Sequence, residues 1–543
     1  MIQNPYQNLS RPQVYATMAG LMVTILLAAL DQTIVGTAMP RIVADLQGFD
    51  HYAWATTAYL LTSTAVVPIV GRLSDMYGSK RFLVGGATFF VVTSMFCGLS
   101  QDMTQLAIFR GLQGIGGGIL FAVTMAVASA LFPPAQRAKV QGIFSATFGV
   151  ASIAGPLLGG YLTDAFTWRS VFYVNVPVGA IAIAVLWSAF TDARMAGRRH
   201  SLDYLGAALL IASVVSLMLA LTWGGRDYPW SSPVIAGLFA VASATLAAFI
   251  AAERHAPEPI LPLDLFRNRE VTVCSVLACL SMAGSFAASL FVPLFIQAVI
   301  GTSASQSGTV LAPMMVAMVV SSVVCGQVIG RVGRYKSVAI GGIVAATVGM
   351  YLLSAMGVDT DYGVVVRNMV ILGAGVGATF PCFNLAAQNA VGLHQIGVAT
   401  ALVQFLRSIG ATVFAALLGS MLANGYAPAL AQALPPEVRS ALGGSQAAIF
   451  SNPEALLNPG AARELHGVLD QLGPSGPNLT DTVLEAIRFA LATSLQHVFL
   501  TGAVVLAIAT ALSFLLRDVP LRRTFGADET FVERPAVSTA IVD

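Results

Sequence analysis

The sequence predicts an all-α polytopic membrane protein of fourteen transmembrane helices, and three observations carry that class. First, 56% of its 543 residues are hydrophobic and only 10% are charged, with a mean hydropathy of +0.77. A water-soluble domain carries about 25% charge, so this chain lacks the polar surface to cover itself in water. Second, apolar runs of about 20 residues recur along almost the whole length, each long enough to cross roughly 30 Å of hydrocarbon as a helix. Third, the cations alternate between loops. Arg72, Lys80, Arg81, Arg137, Lys139, Arg194, Arg198, Arg199, Arg254, Arg267, Arg269, Arg331, Arg334, Lys336, Arg517, Arg522 and Arg523 fall on one side, against Arg41, Arg169 and Arg226 on the other.

The spans are placed at 15–36, 53–71, 82–100, 105–127, 138–162, 169–190, 203–223, 233–252, 271–300, 306–330, 337–356, 363–386, 396–423 and 494–516. The first is too long for a signal-peptide core, holds Asp31 and lacks a small-residue cleavage site, so it reads as a retained helix. An even count puts both termini on one side, and the positive-inside rule makes that side cytoplasmic. Five cysteines (Cys97, Cys274, Cys279, Cys325, Cys382) lie scattered in apolar runs without paired spacing, which indicates neither a disulfide framework nor a metal site. A net charge of +2 gives no reason to expect a nucleic-acid partner.

An internal echo organises the chain. GRLSDMYGSKRF after the second span and GQVIGRVGRYKS after the tenth align with Gly71 over Gly326 and Gly78 over Gly333. Six spans precede and six follow a central pair, so two six-helix halves with a site between them are expected. The segments are a cytoplasmic stretch 1–14, an N-terminal bundle 15–190, an inserted hairpin 203–252, a C-terminal bundle 271–516 and a cytoplasmic tail 517–543. An external loop at 424–493 interrupts the second bundle; its LTDTVLEAIRFALATSLQ stretch, which runs on into the last span, has helical apolar spacing with Thr480 as cap, so one or two amphipathic helices are expected there.

Of 26 acidic residues, Asp31 alone lies well inside an apolar span. An ionised, unpaired carboxylate there costs several kcal/mol, so its presence marks a functional site. Arg110 is its natural partner, since both side chains sit about 9 Å below the outer ends of their helices at 1.5 Å rise per residue. Two readings follow: a proton switch, or a static ion pair that fixes packing. Arg110, Gln113, Gly114 and Gly117 form one polar or small face of span 4, which should look into the bundle. Gly149, Ser152, Pro156, Gly159 and Gly160 form a small-residue stripe in span 5, read either as close packing or as a flexing point. In the loop after span 2, Gly71 and Gly78 allow a sharp turn, Asp75 can meet a helix N-terminus or a cation, and Arg72, Lys80 and Arg81 face the lipid surface.

Together these residues resemble the fourteen-helix drug:proton antiporter branch of the major facilitator superfamily. LDQTIVGTAMPRI (30–42) resembles the first-helix signature of that branch, GRLSDMYGSKRF the loop signature of the superfamily, and IFRGLQGIGGG (108–118) its fourth-helix motif. GVASIAGPLLGG (149–160) resembles the antiporter motif of helix 5, and WRSVFYVNVPVG (168–179) the entry to helix 6. The resemblance implies two bundles rocking by alternating access, export of amphipathic or cationic drugs driven by inward proton flow, and residence in a bacterial cytoplasmic (inner) membrane. By position, Asp31 and Arg110 would couple the proton; Gly71, Arg72, Asp75, Gly78, Lys80 and Arg81 would form a cytoplasmic latch. Gly149, Gly155, Pro156, Gly159 and Gly160 would form the antiporter motif. The chain departs from the pattern at Ser79, at Gly330 in the second copy, and at Gln404 and Arg407, where some relatives place a carboxylate.

Cavity candidates are Tyr59, Gln113, Phe144, Phe148, Phe291, Phe295, Phe383, Asn384 and Gln404, because aromatic faces and amides suit flat cations and amphiphiles. The expected partners are a small-molecule substrate, protons and the lipid bilayer; an accessory periplasmic or outer-membrane protein is compatible with the scheme, and the chain is read as a monomer. No cofactor or metal is expected, the proton gradient being the energy source. Rival classes fare worse: there is no GxxxxGK[ST] phosphate loop and no HExxH, and GAGVGA (373–378) lies in an apolar span without strand context. An enzyme is therefore not expected. A dedicated exporter of an endogenous metabolite, such as a lipid, siderophore or antibiotic, is the alternative reading.

Overall fold

In lipid every backbone N–H and C=O must be satisfied within the segment, so the apolar runs fold as helices. A computed structural model describes residues 10–46, 52–132, 134–190, 203–225, 228–257, 259–301, 304–392, 395–434 and 476–520. Fourteen of its helices are long and apolar enough to cross a membrane. In chain order the elements are α1 (Arg11–Leu46), α2 (Tyr52–Tyr77), α3 (Ser79–Gly98), α4 (Met103–Leu131), α5 (Pro134–Ala165), a short α6 (Ser170–Tyr173) and α7 (Asn175–Ala189). There follow α8 (Tyr204–Trp223), α9 (Pro233–Glu253), a short α10 (Asp264–Arg267), α11 (Arg269–Leu294), α12 (Ala304–Val332) and α13 (Lys336–Ser354). The chain is completed by α14 (Tyr362–Asn389), α15 (Ile396–Ala433) and α16 (Gly476–Ser513). Polar residues outside the apolar runs start the helices: Asp102 accepts from the Gln105 N–H at 2.7 Å, and Asp361 from the Gly363 N–H at 2.8 Å.

The helices outrun the hydrophobic spans. Both α1 and α2 continue well past the expected 36 and 71, because helix formation does not stop where the lipid ends. The same effect shortens the expected 424–493 loop. Helix α15 runs on to Ala433 with Pro428 inside it, and α16 begins at Gly476, so Thr480 is internal rather than a cap. The remainder of that loop, 435–475, lies outside the described residues, as do 1–9 and 521–543 of the terminal segments. Pro293 in α11 is followed by a wide turn over Phe295–Ile300 that closes on Gly301, whose φ is +83°.

The two halves repeat one another in detail. Gly78 between α2 and α3 and Gly333 between α12 and α13 both take positive φ, +97° and +74°, which an L side chain resists. Lys80 Nζ donates to the Trp187 carbonyl at 2.7 Å, and Lys336 Nζ to the Phe514 carbonyl at 3.1 Å. In each half, a lysine from the first turn of the third helix thus meets the carbonyl end of the sixth. Gly114 and Gly118 of α4 press on the backbone of α2 so closely that a Cβ at either would overlap Tyr59 or Ser63. Gly373 and Gly377 of α14 press likewise on Met314 and Met318 of α12, at the spacing expected where lipid leaves van der Waals packing to hold helices together.

Helices α8 and α9 pair with each other, and α8 lies on α2 and α15, at the seam between the halves. Two tryptophans pin the hairpin there: Trp223 meets Trp54 edge-on at 5.7 Å, and Trp230 Nε1 donates to Ser420 Oγ at 3.0 Å. The outer surface is apolar, with Ile108, Val150, Leu157 and Val320 each more than half exposed. Such a surface is stable only against acyl chains.

Candidate functional site

The first component of the site is a buried ion pair within the N-terminal half. Asp31 on α1 is fully buried, and its Oδ2 lies 2.6 Å from Arg110 Nη1 on α4. Asp31 Oδ1 accepts from Gln113 Nε2 and from Asn175 Nδ2, each at 2.8 Å. All three neighbours donate to it. Arg110 is held in turn: Nη1 donates to Gln113 Oε1 at 2.8 Å, Nε to the Ala55 carbonyl at 3.3 Å, and its guanidinium lies 4.4 Å from the centre of the Tyr59 ring. Asn175 is fixed by a 3.0 Å donation to Ser94 Oγ, which donates to the Phe172 carbonyl. Helices α4 and α7 thus converge on the α1 carboxylate, while α2 braces Arg110 and α3 braces Asn175.

The second component is a cavity of about 960 Å³ between the halves, a size suited to a drug-sized ligand. Helices of both bundles and the α8–α9 connection, through Gly224 and Gly225, line it. Tyr59, Phe144, Phe148 and Gln404 of the sequence candidates face this space. Tyr59 lines the cavity and also lies against the Arg110 guanidinium, whereas Asp31 and Arg110 themselves do not line it. Gly117 makes room for the Tyr59 ring: a Cβ there would collide with its hydroxyl.

The other candidates lie elsewhere. Gln113 serves Asp31 instead of the cavity. Phe291 and Phe295 are buried in the C-terminal half's own core with Leu495 and Phe499, because α11 turns Phe286 and Leu290 to the cavity instead. Phe383 packs with Cys274 and Tyr335, and Asn384 is buried beside it. Both follow Phe380 by about one turn, which carries them below the cavity toward the level where the halves meet. Sequence reasoning did not select Asn175, Phe286 or Phe380. A lone amide in the apolar span 169–190 was the available signal for Asn175; aromatics on all-apolar helices offered none.

At the end of the bundle carrying the basic loops, the halves touch along three seams. Gln388 Nε2 on α14 donates to Ser129 Oγ on α4 at 2.8 Å, and Gln141 Nε2 on α5 approaches Gln388 Oε1 at 3.5 Å. A Cβ on Gly71 of α2 would stand 2.6 Å from the Ala401 Cβ of α15, and one on Gly142 of α5 would stand 3.0 Å from the Val323 Cα of α12. Gly71 of the expected latch is therefore at a seam, Gly78 makes the turn, and Lys80 binds Trp187. The Arg72 Nε is buried without a hydrogen-bond partner among the described residues, and Arg81 is exposed. Asp75 lies in α2, but its side chain is outside the described ones.

The span-5 stripe divides its work. Gly149 meets Val319 of α12 across the halves, while Gly155 and Gly159 lie against Thr33 and Thr37 of α1 so tightly that a Cβ would overlap their hydroxyls. Pro156 is exposed and Gly160 faces open space, so neither packs against the bundle. At the opposite end, Asp45 Oδ2 accepts from Trp168 Nε1 at 2.7 Å and Arg169 Nη1 at 3.0 Å. Those two hydrogen bonds hold the Asp45 carboxyl below its usual pKa.

The family model described as the Major Facilitator Superfamily matches residues 21–415. The chain is 38% identical over 529 residues to the multidrug transporter protein MdtP of Bacillus subtilis, covering 95% of each chain. It is 36% identical over 505 residues to multidrug resistance protein 3 of the same organism, covering 93% of this chain and 95% of that one. Among solved structures, the human organic anion transporter MFSD10 (TETRAN) is similar at a TM-score of 0.57 and 13% identity, with 92% of this chain and 100% of that one covered. At that identity the likeness concerns the fold alone.

Proposed function

The chain belongs to the Major Facilitator Superfamily, a family of membrane transporters rather than enzymes, and from that premise we propose a proton-coupled antiporter that exports amphipathic drugs by alternating access. The observation that carries this reading is the buried Asp31–Arg110 pair beside the inter-half cavity, with Tyr59 touching both. The names of the relatives, a multidrug transporter and a multidrug resistance protein, support the substrate class. In this scheme the basic end is cytoplasmic, both termini lie there, and the membrane is the bacterial cytoplasmic (inner) membrane.

The cycle follows from the geometry. With the Ser129–Gln388, Gly71–Ala401 and Gly142–Val323 seams closed, the cavity is shut off from the basic end and releases substrate to the other side. A proton reaching Asp31 neutralises the charge that holds Arg110, and the α1–α4 contact loosens. The seams then part and the cavity faces the cytoplasm. Return of the Arg110 guanidinium to Asp31 expels the proton inward while substrate loads. One proton crossing 100 mV supplies about 2.3 kcal/mol, enough for a roughly fiftyfold gradient of an uncharged substrate, so a single carboxylate suffices. The protein needs no cofactor and works as a monomer in the bilayer.

Cells expressing the protein test the proposal directly. Extrusion of structurally unrelated amphipathic dyes should exceed that of control cells and collapse on addition of a protonophore. Extrusion that persists unchanged with the protonophore would refute proton coupling.

A further inference from the structure

Arg407 on α15 is buried to 4% exposure, and its Nε, Nη1 and Nη2 all lack a hydrogen-bond partner among the described residues. It lines the cavity, its guanidinium 3.9 Å from the centre of the Phe380 ring. No aspartate, glutamate or lysine among the described residues shares the lining, so Arg407 is its one charged side chain. The acid deepest in the membrane, Asp31, is already taken by Arg110 behind Tyr59.

A guanidinium presents five donors and no acceptor, and it keeps its charge. Burying it unpaired is strongly unfavourable, and stacking on one aromatic ring offsets only part of that. The side chains around it are Gln404 one turn before, Ser408 beside it and the Phe380 ring; none brings a negative charge. No described residue supplies that partner, and the cavity that Arg407 faces is the way in for one from outside.

We propose that Arg407 is the anchor for an acidic headgroup, and that the favoured substrates are amphipathic anions whose carboxylate, sulfonate or phosphate pairs with its guanidinium while an apolar body rests on the Phe144, Phe148, Phe286 and Phe380 rings. The planar fork of the guanidinium binds a carboxylate or phosphate through two parallel hydrogen bonds, a geometry a lysine cannot reproduce. The same charge repels the cationic drugs that the family resemblance suggested, and no carboxylate in the lining compensates for it. The inference rests on the transport reading above and names the substrate class of that cavity. It also has an energetic consequence: an anion leaving as a proton enters moves two charges in the direction the membrane potential favours.

The test measures equilibrium binding, with no gradient, to the purified full-length chain in phosphatidylcholine nanodiscs, with empty nanodiscs as background. Two xanthene dyes of similar shape are compared at neutral pH by fluorescence anisotropy: fluorescein, which is anionic, and rhodamine 6G, which is cationic. The unmodified chain should bind fluorescein at least about tenfold tighter than rhodamine 6G, the scale of one charge-assisted hydrogen-bonded contact. Arg407→Gln should lose that preference while leaving rhodamine 6G binding unchanged or tighter, and Arg407→Lys should keep part of it. Equal or tighter binding of rhodamine 6G to the unmodified chain, which needs no variant to fold, would overturn the proposal. Unchanged fluorescein binding in a monodisperse Arg407→Gln protein, or no binding of either dye, would do the same. Because no proton gradient enters the measurement, failure of proton coupling leaves its result intact, and its failure leaves proton coupling untouched.

Discussion

Arg110 reaches across 79 residues of sequence to place Nη1 2.6 Å from Asp31 Oδ2, and the Tyr59 ring that covers its guanidinium is also a wall of the transport cavity. Tyr59 thus contacts both the ion pair and the cavity, and is placed to limit the passage of water between them. Removing it, in Tyr59→Ala, should let protons cross without substrate. Proteoliposomes containing the variant and an internal pH dye should acidify under an imposed proton gradient several-fold faster than those with the unmodified chain. Equal rates would show that something other than Tyr59 seals the pair.

The Ser129–Gln388 contact joins the halves at the basic end, so it should break each time the cavity turns inward. With the five native cysteines replaced, a Ser129→Cys, Gln388→Cys double variant should form a disulfide under mild oxidation and lose export. Reduction should restore it. Export that continues in the fully cross-linked protein would mean that this seam does not open during transport.

Gly118 on α4 and Gly377 on α14 occupy matching places in the two halves, each against the backbone of the second helix of its bundle. Gly118→Val and Gly377→Val should each destabilise the protein by about 1–3 kcal/mol, the usual range for overpacking a close contact. Thermal unfolding in detergent measures this, and similar losses at both sites are the prediction. A loss at one site with none at the other would mean that the two bundles are packed by different rules.

The Asp45 carboxyl, lowered by its hydrogen bonds from Trp168 and Arg169, gives a pH dependence whose sign is fixed. A depressed folded-state pKa adds stability above the unfolded value, about 3.9, and that stability is lost as pH falls through the folded value. Asp45→Asn should therefore melt slightly below the unmodified chain at pH 6–7, and the two should converge below about pH 4. The pair is half exposed, so the difference is small and should shrink in high salt. A difference that widens in acid would contradict the assignment.

How much of this was legible in the sequence depends on whether the signal survives in lipid. Asp31 and Arg110 stood out because charge is rare at that depth, and helix geometry alone placed them level. The echo of Gly78 in Gly333 was legible because a tight turn demands a residue that accepts positive φ, in either half. The destinations of Gln113, Phe291, Phe295 and Phe383 were not. On a water-soluble helix the polar face identifies its own outside, whereas a membrane helix is apolar toward lipid and toward protein alike, so periodicity does not separate Phe286 from Phe291. The first end of the 424–493 loop was misplaced for a related reason: hydropathy reports where lipid ends, and α15 continues beyond that point, whereas the helical spacing from about 480 into the last span already marked the start of α16 to within a turn.

The proposed coupling stands or falls on whether Asp31 carries the proton. In proteoliposomes with an imposed pH gradient, the unmodified chain should concentrate an amphipathic substrate against its gradient. Asp31→Asn, folded and inserted to the same level, should carry that substrate only down its gradient and show no substrate-linked proton movement. Uphill, pH-driven accumulation by Asp31→Asn would contradict the account and leave Asp31 and Arg110 as a static brace within the bundle.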